Sequence, residues 1–273
     1  MTKSRITIII FSKEKTMNSI AFTLFGLEVS WYGIMIAIGI TCAVILGCFL
    51  AKYRGLKKDD IFELLLWVLP PAIIGARLYF LIFNGGPWGW EAFAIWSGGL
   101  AVYGSIIGGA IGVLLFCLIR KKNFFDVADV AAPCLVLGQG IGRIGCYFAG
   151  CCYGVETTNA SLQFFPFSVL IGGQWHLATF FYESFFDLII CLVLVLVLKK
   201  VKISGIILGG YMVLYGILRA VLEGLRDSEA ALFIGGLKVS QVLSIIIIIA
   251  GVCLIVCKVI IEAKKKKLCR SDL

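Results

Sequence analysis

The stretch Thr179–Leu198 reads TFFYESFFDLIICLVLVLVL, a run almost wholly apolar and unbroken by glycine or proline. At about 1.5 Å per residue a helix of this length measures about 30 Å, the thickness of a bilayer's hydrocarbon core. Its apolar residues follow one another without alternating, which excludes a strand of an outer-membrane barrel. Outward from this stretch, six more runs of the same kind are found: Trp31–Ala51, Ile61–Phe83, Leu100–Leu118, Val127–Phe148, Ile203–Leu222 and Val239–Cys257. The whole chain agrees, being 60% hydrophobic and only 15% charged, against about 45–50% and about 25% in soluble domains. The sequence therefore predicts an all-α integral membrane protein of seven transmembrane helices. Its 31 glycines suit closely packed helices better than linkers.

Orientation follows from the basic residues between the runs, because short cytoplasmic loops are enriched in lysine and arginine. Lys52, Arg54, Lys57 and Lys58 follow the first run, Arg120, Lys121 and Lys122 the third, and Lys199, Lys200 and Lys202 the fifth. Lys258, Lys264, Lys265, Lys266, Lys267 and Arg270 follow the seventh. These ends are expected in the cytoplasm, with the amino terminus outside and the carboxyl terminus inside. The expected organisation is an amino-terminal extension over 1–28, a single transmembrane catalytic domain over 29–258 and a basic cytoplasmic tail over 259–273. The short apolar run Ile6–Phe11 does not span, and Met17 is an alternative start. The net charge of +9 is thus a topological device facing anionic lipid, and no nucleic-acid partner is expected.

An ionisable residue within a spanning helix costs ~2.5–3.5 kcal/mol and so asks for a reason. Arg77, Arg143, Glu183, Arg219 and Glu223 all fall in or at the ends of the apolar runs. On the topology above they share the outer half of the bilayer, although that topology rests on other residues. Arg219, Glu223 and Arg226 are spaced by four and three and so share one helical face, where a simple helix-end ion pair is the other reading. Arginines on three helices at one depth point to a cavity for an anion, since guanidinium binds phosphate through paired hydrogen bonds and does not titrate away. A phospholipid headgroup is the anion most available there. Interfacial aromatics such as Tyr32, Tyr103 and Tyr182 either join this site or serve as membrane anchors. The string Gly142-Arg-Ile-Gly-Cys-Tyr-Phe-Ala-Gly-Cys-Cys-Tyr-Gly154 is the most specific in the chain. Its glycines predict a broken helix end whose free amides point at an anion beside Arg143.

With these motifs in order, the chain resembles the prolipoprotein diacylglyceryl transferases from about Trp31 to Asp227. Trp31-Tyr32-Gly33 resembles the family's opening W-Y-G, and Gly75-Ala-Arg77-Leu-Tyr79 its G-A-R-L segment. Trp96-Ser-Gly-Gly-Leu100 through Tyr103-Gly104 resembles W-x-G-G-x-x-x-H-G. Asp129-Val-Ala-Ala-Pro133 followed by Gly142-Arg143 resembles D-x-x-A-P leading to G-R-x-G-N-F-x-N-G-E-x-x-G. Thr179-Phe-Phe-Tyr-Glu183 resembles P-T-F-L-Y-E with Ala178 for proline, and Arg219, Glu223 and Arg226 match R-x-x-x-E-x-x-R.

The resemblance implies a bacterial plasma-membrane enzyme with its active site facing the outer leaflet. Such an enzyme moves the diacylglyceryl group of phosphatidylglycerol onto the lipobox cysteine of a prolipoprotein signal peptide, needing no cofactor and no metal. It implies that Arg143 holds the donor's phosphate, that Arg219 or Arg226 stabilises charge on the departing phosphate, and that Glu183 and Glu223 fix these arginines or Tyr32. Arg77, Gly142 and Gly154 fall in the motifs of the same lipid-binding site. The chain departs from the pattern at Tyr103, in place of histidine, and at Cys146, Ala149 and Cys151, in place of two asparagines and a glutamate. A tyrosine with a pKa of ~10 is mostly protonated at neutral pH and would donate to the phosphate instead of taking a proton. His176, the single histidine, is either a substitute base or an ordinary exposed side chain. Cys146, Cys151, Cys152 and His176 are open to three readings: a zinc site of non-standard spacing, a labile disulfide, or a reactive thiol. A divergent paralogue with another thiol or lipid, and a non-catalytic lipid-binding or transport protein, are the competing functions.

Overall fold

In a computed structural model the described residues are 20–24, 27–84, 89–93, 99–226, 233–234 and 237–271. The extension with Met17 and Ile6–Phe11, the Trp96-Ser-Gly part of its motif, and Asp227 lie outside them. Among the described residues, seven helices are long and apolar enough to cross a membrane: α1 (Trp31–Leu50), α2 (Lys58–Asn84), α3 (Val102–Ile119), α4 (Phe124–Ala149), α5 (Thr179–Lys200), α6 (Ile206–Gly224) and α7 (Val239–Ser271). Six begin and end within a few residues of the expected runs. The seventh passes its apolar limit at Cys257 and continues through the Lys264–Lys267 tract, because lysine, alanine and leucine are strong helix formers once the helix leaves hydrocarbon. Short antiparallel hairpins accompany them among the described residues: β1 (Ile20–Leu24) with β2 (Leu27–Ser30), β3 (Ser168–Ile171) with β4 (Gln174–Leu177), and β5 (Phe233–Ile234) with β6 (Leu237–Lys238).

The chain divides into two compact units, one including Gly55–Val127 and the other Lys13–Arg54 with Ala128–Leu273. In the first, α2 and α3 touch backbone to backbone. A Cβ added at Gly104 would collide with the Gly75 carbonyl, and one at Gly108 with the carbonyl of Pro71. This is the small-residue packing that lets membrane helices approach without side chains between them. Arg77 on α2 donates from Nε to the Ala92 carbonyl at 2.8 Å and from Nη1 to the Gly99 carbonyl at 3.2 Å, tying the segment before α3 to α2. Tyr103, in the first turn of α3, is half exposed and lies 6.1 Å from the Tyr79 ring.

In the second unit, Ser30 caps α1 by accepting from the Gly33 amide at 3.1 Å. The helix packs on α4 where Gly39 meets Gly138 and where Gly145 leaves room for Tyr32. At one end of the unit a buried latch joins four segments. Arg54, in the 3-10 turn after α1, donates from Nη2 to Asp129 Oδ2 of α4 at 2.8 Å, and from Nη1 to the Val201 carbonyl at 2.9 Å. Asp129 also accepts from the Gly205 amide at 2.8 Å and the Leu208 amide at 2.9 Å. A carboxylate from α4 thus caps the positive end of α6, whose own sequence offers no capping side chain there.

Candidate active site

The opposite end of the second unit is where α4 ends, α5 begins and α6 ends. Main-chain bonds join the three. Gly154 donates to the Leu177 carbonyl at 2.8 Å, Val155 to the Leu225 carbonyl at 3.0 Å, and Leu177 back to the Val155 carbonyl at 3.1 Å. Gly154 is required by this approach, since an added Cβ would lie 2.6 Å from the Leu225 carbonyl oxygen and 2.7 Å from Thr179 Cγ2. Thr179, the first residue of α5, donates its hydroxyl to the Cys152 carbonyl at 2.8 Å. Tyr182 donates to the Phe167 carbonyl, fixing β3 against α5.

The expected charges converge here. Glu183 is 1% exposed and is the common partner of three arginines. Arg143 Nη2 of α4 lies 2.7 Å from its Oε1, and Arg219 Nη1 of α6 and Arg226 Nη2 each lie 3.5 Å from its Oε2. Arg219 Nη2 also pairs with Glu223 Oε2 at 3.0 Å, the helix-end ion pair foreseen from their spacing. Arg226 lies two residues beyond the end of α6 and still turns toward Glu183. Its Nε and Nη2 are buried and make no hydrogen bond. Lys238 caps the same helix end, donating to the Glu223 carbonyl at 2.9 Å and the Arg226 carbonyl at 2.7 Å.

Tyr32 belongs to the same unit, on α1 against Gly145, and is partly exposed. An added Cβ at Gly142 would meet nothing within 4 Å, so the glycine before Arg143 borders open space. Arg77 and Tyr103 belong to the first unit. The expected set omits Asp187, one turn after Glu183, although an acid inside an apolar run is the same signal. It is fully buried and neither carboxylate oxygen is hydrogen-bonded.

The glycine-rich string takes a different form from the expected broken helix. α4 runs through Gly142 and Gly145 to Ala149, because helical φ and ψ are open to glycine and the close approach of Tyr32 needs no kink. It ends in a Schellman cap: Gly150 adopts φ +60°, its amide donates to the Tyr147 carbonyl at 3.3 Å, and Cys151 donates to the Cys146 carbonyl at 3.1 Å. These two amides are spent on the helix's own carbonyls and do not serve an anion. The guanidinium groups therefore supply the positive character of the site.

The cap folds Cys151 and Cys152 back over Cys146, and the three sulfurs lie within 4.8 Å of one another. All three are free thiols. Arg143 Nη1 lies 3.6 Å from Cys152 Sγ. Hydrogen bonds with Cys146 and Cys151, then the charges of Arg226 and Arg143, hold the Cys152 thiol well below the usual thiol range against the opposing effect of burial. His176 is not part of the cluster. Its Nδ1 lies 3.2 Å from the Gly154 carbonyl and its ring packs on Tyr153, because β4 pairs with the strand-like segment after the cap and carries the imidazole along it.

Residues 19–257 match the family model described as prolipoprotein diacylglyceryl transferase. Similar proteins include a phosphatidylglycerol–prolipoprotein diacylglyceryl transferase of Finegoldia magna, 39% identical over 94% of this chain and 99% of the relative. A second from Clostridium perfringens is 36% identical over 92% of this chain and 97% of the relative. A third from Clostridium botulinum is 38% identical over 86% and 95%.

Proposed function

Because the chain belongs to the prolipoprotein diacylglyceryl transferase family and is a transferase of that kind, we propose that the cluster around Glu183 is where it binds phosphatidylglycerol and transfers the diacylglyceryl group to a prolipoprotein. The observation that carries this reading is the convergence of Arg143, Arg219 and Arg226 on one buried carboxylate, with Arg226 Nε and Nη2 left without a hydrogen bond. Three guanidinium groups share two paired carboxylates in an apolar interior, an arrangement suited to an entering phosphodiester.

In the reaction, Arg143 and Arg226 hold the phosphate, and Arg219, steadied by Glu223, stabilises the charge that builds as the ester carbon–oxygen bond breaks. Glu183 orients all three and Tyr32 borders the lipid. Within the first unit, Arg77 holds the segment that precedes Tyr103. The acceptor is the lipobox cysteine thiol of an exported prolipoprotein. The site opens to the outer leaflet of the bacterial plasma membrane, where donor lipid and signal peptide meet.

The test is expression in bacteria depleted of their own enzyme, reading diacylglyceryl-modified prolipoprotein by mass shift. The wild type is expected to restore the modified form and Arg143→Ala to abolish it while still inserting in the membrane. A membrane-inserted wild type that yields no modified product overturns the reading.

A further inference from the structure

We propose that Cys146, Cys151 and Cys152 form a binding site for a thiophilic divalent metal ion of the zinc class, with the fourth coordination position open. Three observations combine. The sulfurs already lie within 4.8 Å of one another, while zinc bonded to sulfur at about 2.3 Å in tetrahedral geometry places its ligands about 3.8 Å apart. Small rotations about χ1 close that difference. The cap sets the spacing through the main chain, since Gly150 in the left-handed region and the bond from Cys151 to the Cys146 carbonyl return the chain over its own last turn. Cys152, at φ +61°, turns the next side chain inward as well.

The surroundings suit such an ion. Three thiolates and a divalent cation carry a net charge of −1, and Arg143 Nη1 already donates to Cys152 Sγ at 3.6 Å, where its positive charge offsets that of the thiolates. Val169, Ala178, Phe180 and Tyr147 pack around the cluster and give it an apolar shell. A cavity bordered by Cys146, Gly150, Cys151, Leu170 and Phe180 opens beside the thiols. Three protein ligands with one exchangeable position is the pattern of reactive zinc sites, whereas closed four-ligand sites are structural. Soft sulfur ligands select zinc over magnesium or calcium.

Resting on the transferase reading, the open position takes the acceptor thiol, which loses its proton on binding the ion. Its sulfur then forms the bond to the glyceryl carbon as the carbon–oxygen bond to phosphate breaks. The electron pair leaves with the phosphate oxygen, glycerol phosphate takes up a proton, and the metal keeps its oxidation state.

The experiment uses the full chain purified in detergent. Zinc content is measured by mass spectrometry, and cobalt(II) is then exchanged for zinc to read the sulfur-to-metal charge-transfer band. About one zinc per chain is expected, lost at least tenfold in Cys151→Ser/Cys152→Ser and retained in Cys253→Ser/Cys257→Ser. In the wild type, added zinc should protect Cys146, Cys151 and Cys152 from alkylation, mapped by peptide, and a small alkyl thiol should shift the cobalt spectrum. Zinc no higher in the wild type than in the double serine variant, or equal alkylation with and without zinc, overturns the site. A cobalt spectrum indifferent to the thiol overturns the open position. None of these readouts needs turnover. Full transfer by the zinc-free serine variant would remove the ion from the reaction and leave the transferase reading standing.

Discussion

A methyl group added at Gly142 would meet no atom within 4 Å, whereas one added at Gly145 would lie 2.9 Å from Tyr32 Cδ2. Both glycines lie in α4, where alanine is the better helix former by up to ~1 kcal/mol. Gly142→Ala is therefore expected to fold as well as the wild type or better, by thermal unfolding in detergent. If the open space beside Arg143 belongs to the lipid, the same variant raises KM for phosphatidylglycerol severalfold, and an unchanged KM would place the lipid elsewhere. Glu183→Gln is expected to cost more. Removing the charge that three guanidinium groups share leaves them facing Glu223 alone, and breaking a buried ion pair costs about 3–5 kcal/mol. Its unfolding temperature should fall sharply, and a stability near that of the wild type would show that the arginines are held by something else. At this scale the sequence was informative wherever a charge interrupts an apolar run, which marks Arg143, Glu183, Arg219 and Glu223 without any structure. It could not show that Arg226 keeps unbonded donors, or that Asp187 lacks a partner, because partners are a property of the folded chain.

Helix limits were legible because the bilayer imposes a length that the residues must meet. What escaped was the joining of elements across long separations. Asp129 stands in a quoted motif, yet its partner Arg54 lies 75 residues away, and its caps at Gly205 and Leu208 lie further still along the chain. The hairpin of β3 and β4, four residues to a strand, is too short to carry a periodic signal between two apolar runs. Asp129→Ala removes the ion pair and both amide bonds at once, leaving Arg54 buried. It is expected to destabilise by about 3–5 kcal/mol, measured as loss of folded protein in a denaturant titration. Because the latch stands at the far end of α4 from Arg143, the fraction that remains folded should keep its KM for lipid. A raised KM with unchanged stability would mean instead that Asp129 works on the site. In the first unit, Gly108→Leu is expected to force α2 and α3 apart, since its added atoms meet the Pro71 carbonyl and not a flexible side chain.

For the molecule as a whole, we propose from the lysines and arginines between the helices that the carboxyl-terminal end of α7 and the turns at Lys52–Lys58, Arg120–Lys122 and Lys199–Lys202 face the cytoplasm. A fluorescent reporter fused after Lys267 is expected to mature, and one inserted at Gly172–Gly173 to remain dark when exported unfolded. The reverse pattern would invert the topology and place the arginine cluster on the wrong side for an exported acceptor. The two ends of the second unit also differ in how completely their polar groups are used. Around Asp129 each carboxylate oxygen accepts at least one bond, so a newcomer could bind only by displacing something already held. Around Arg226 the buried Nε and Nη2 make no hydrogen bond, Nη2 having only its long 3.5 Å ion pair with Glu183, and their removal from water was completed when the chain folded. A phosphate oxygen arriving there displaces no hydrogen bond of these two donors and competes only with the 3.5 Å ion pair to Glu183. Its association rate should therefore be set by diffusion of lipid into the opening, and differences between lipid headgroups should appear in how slowly each one leaves.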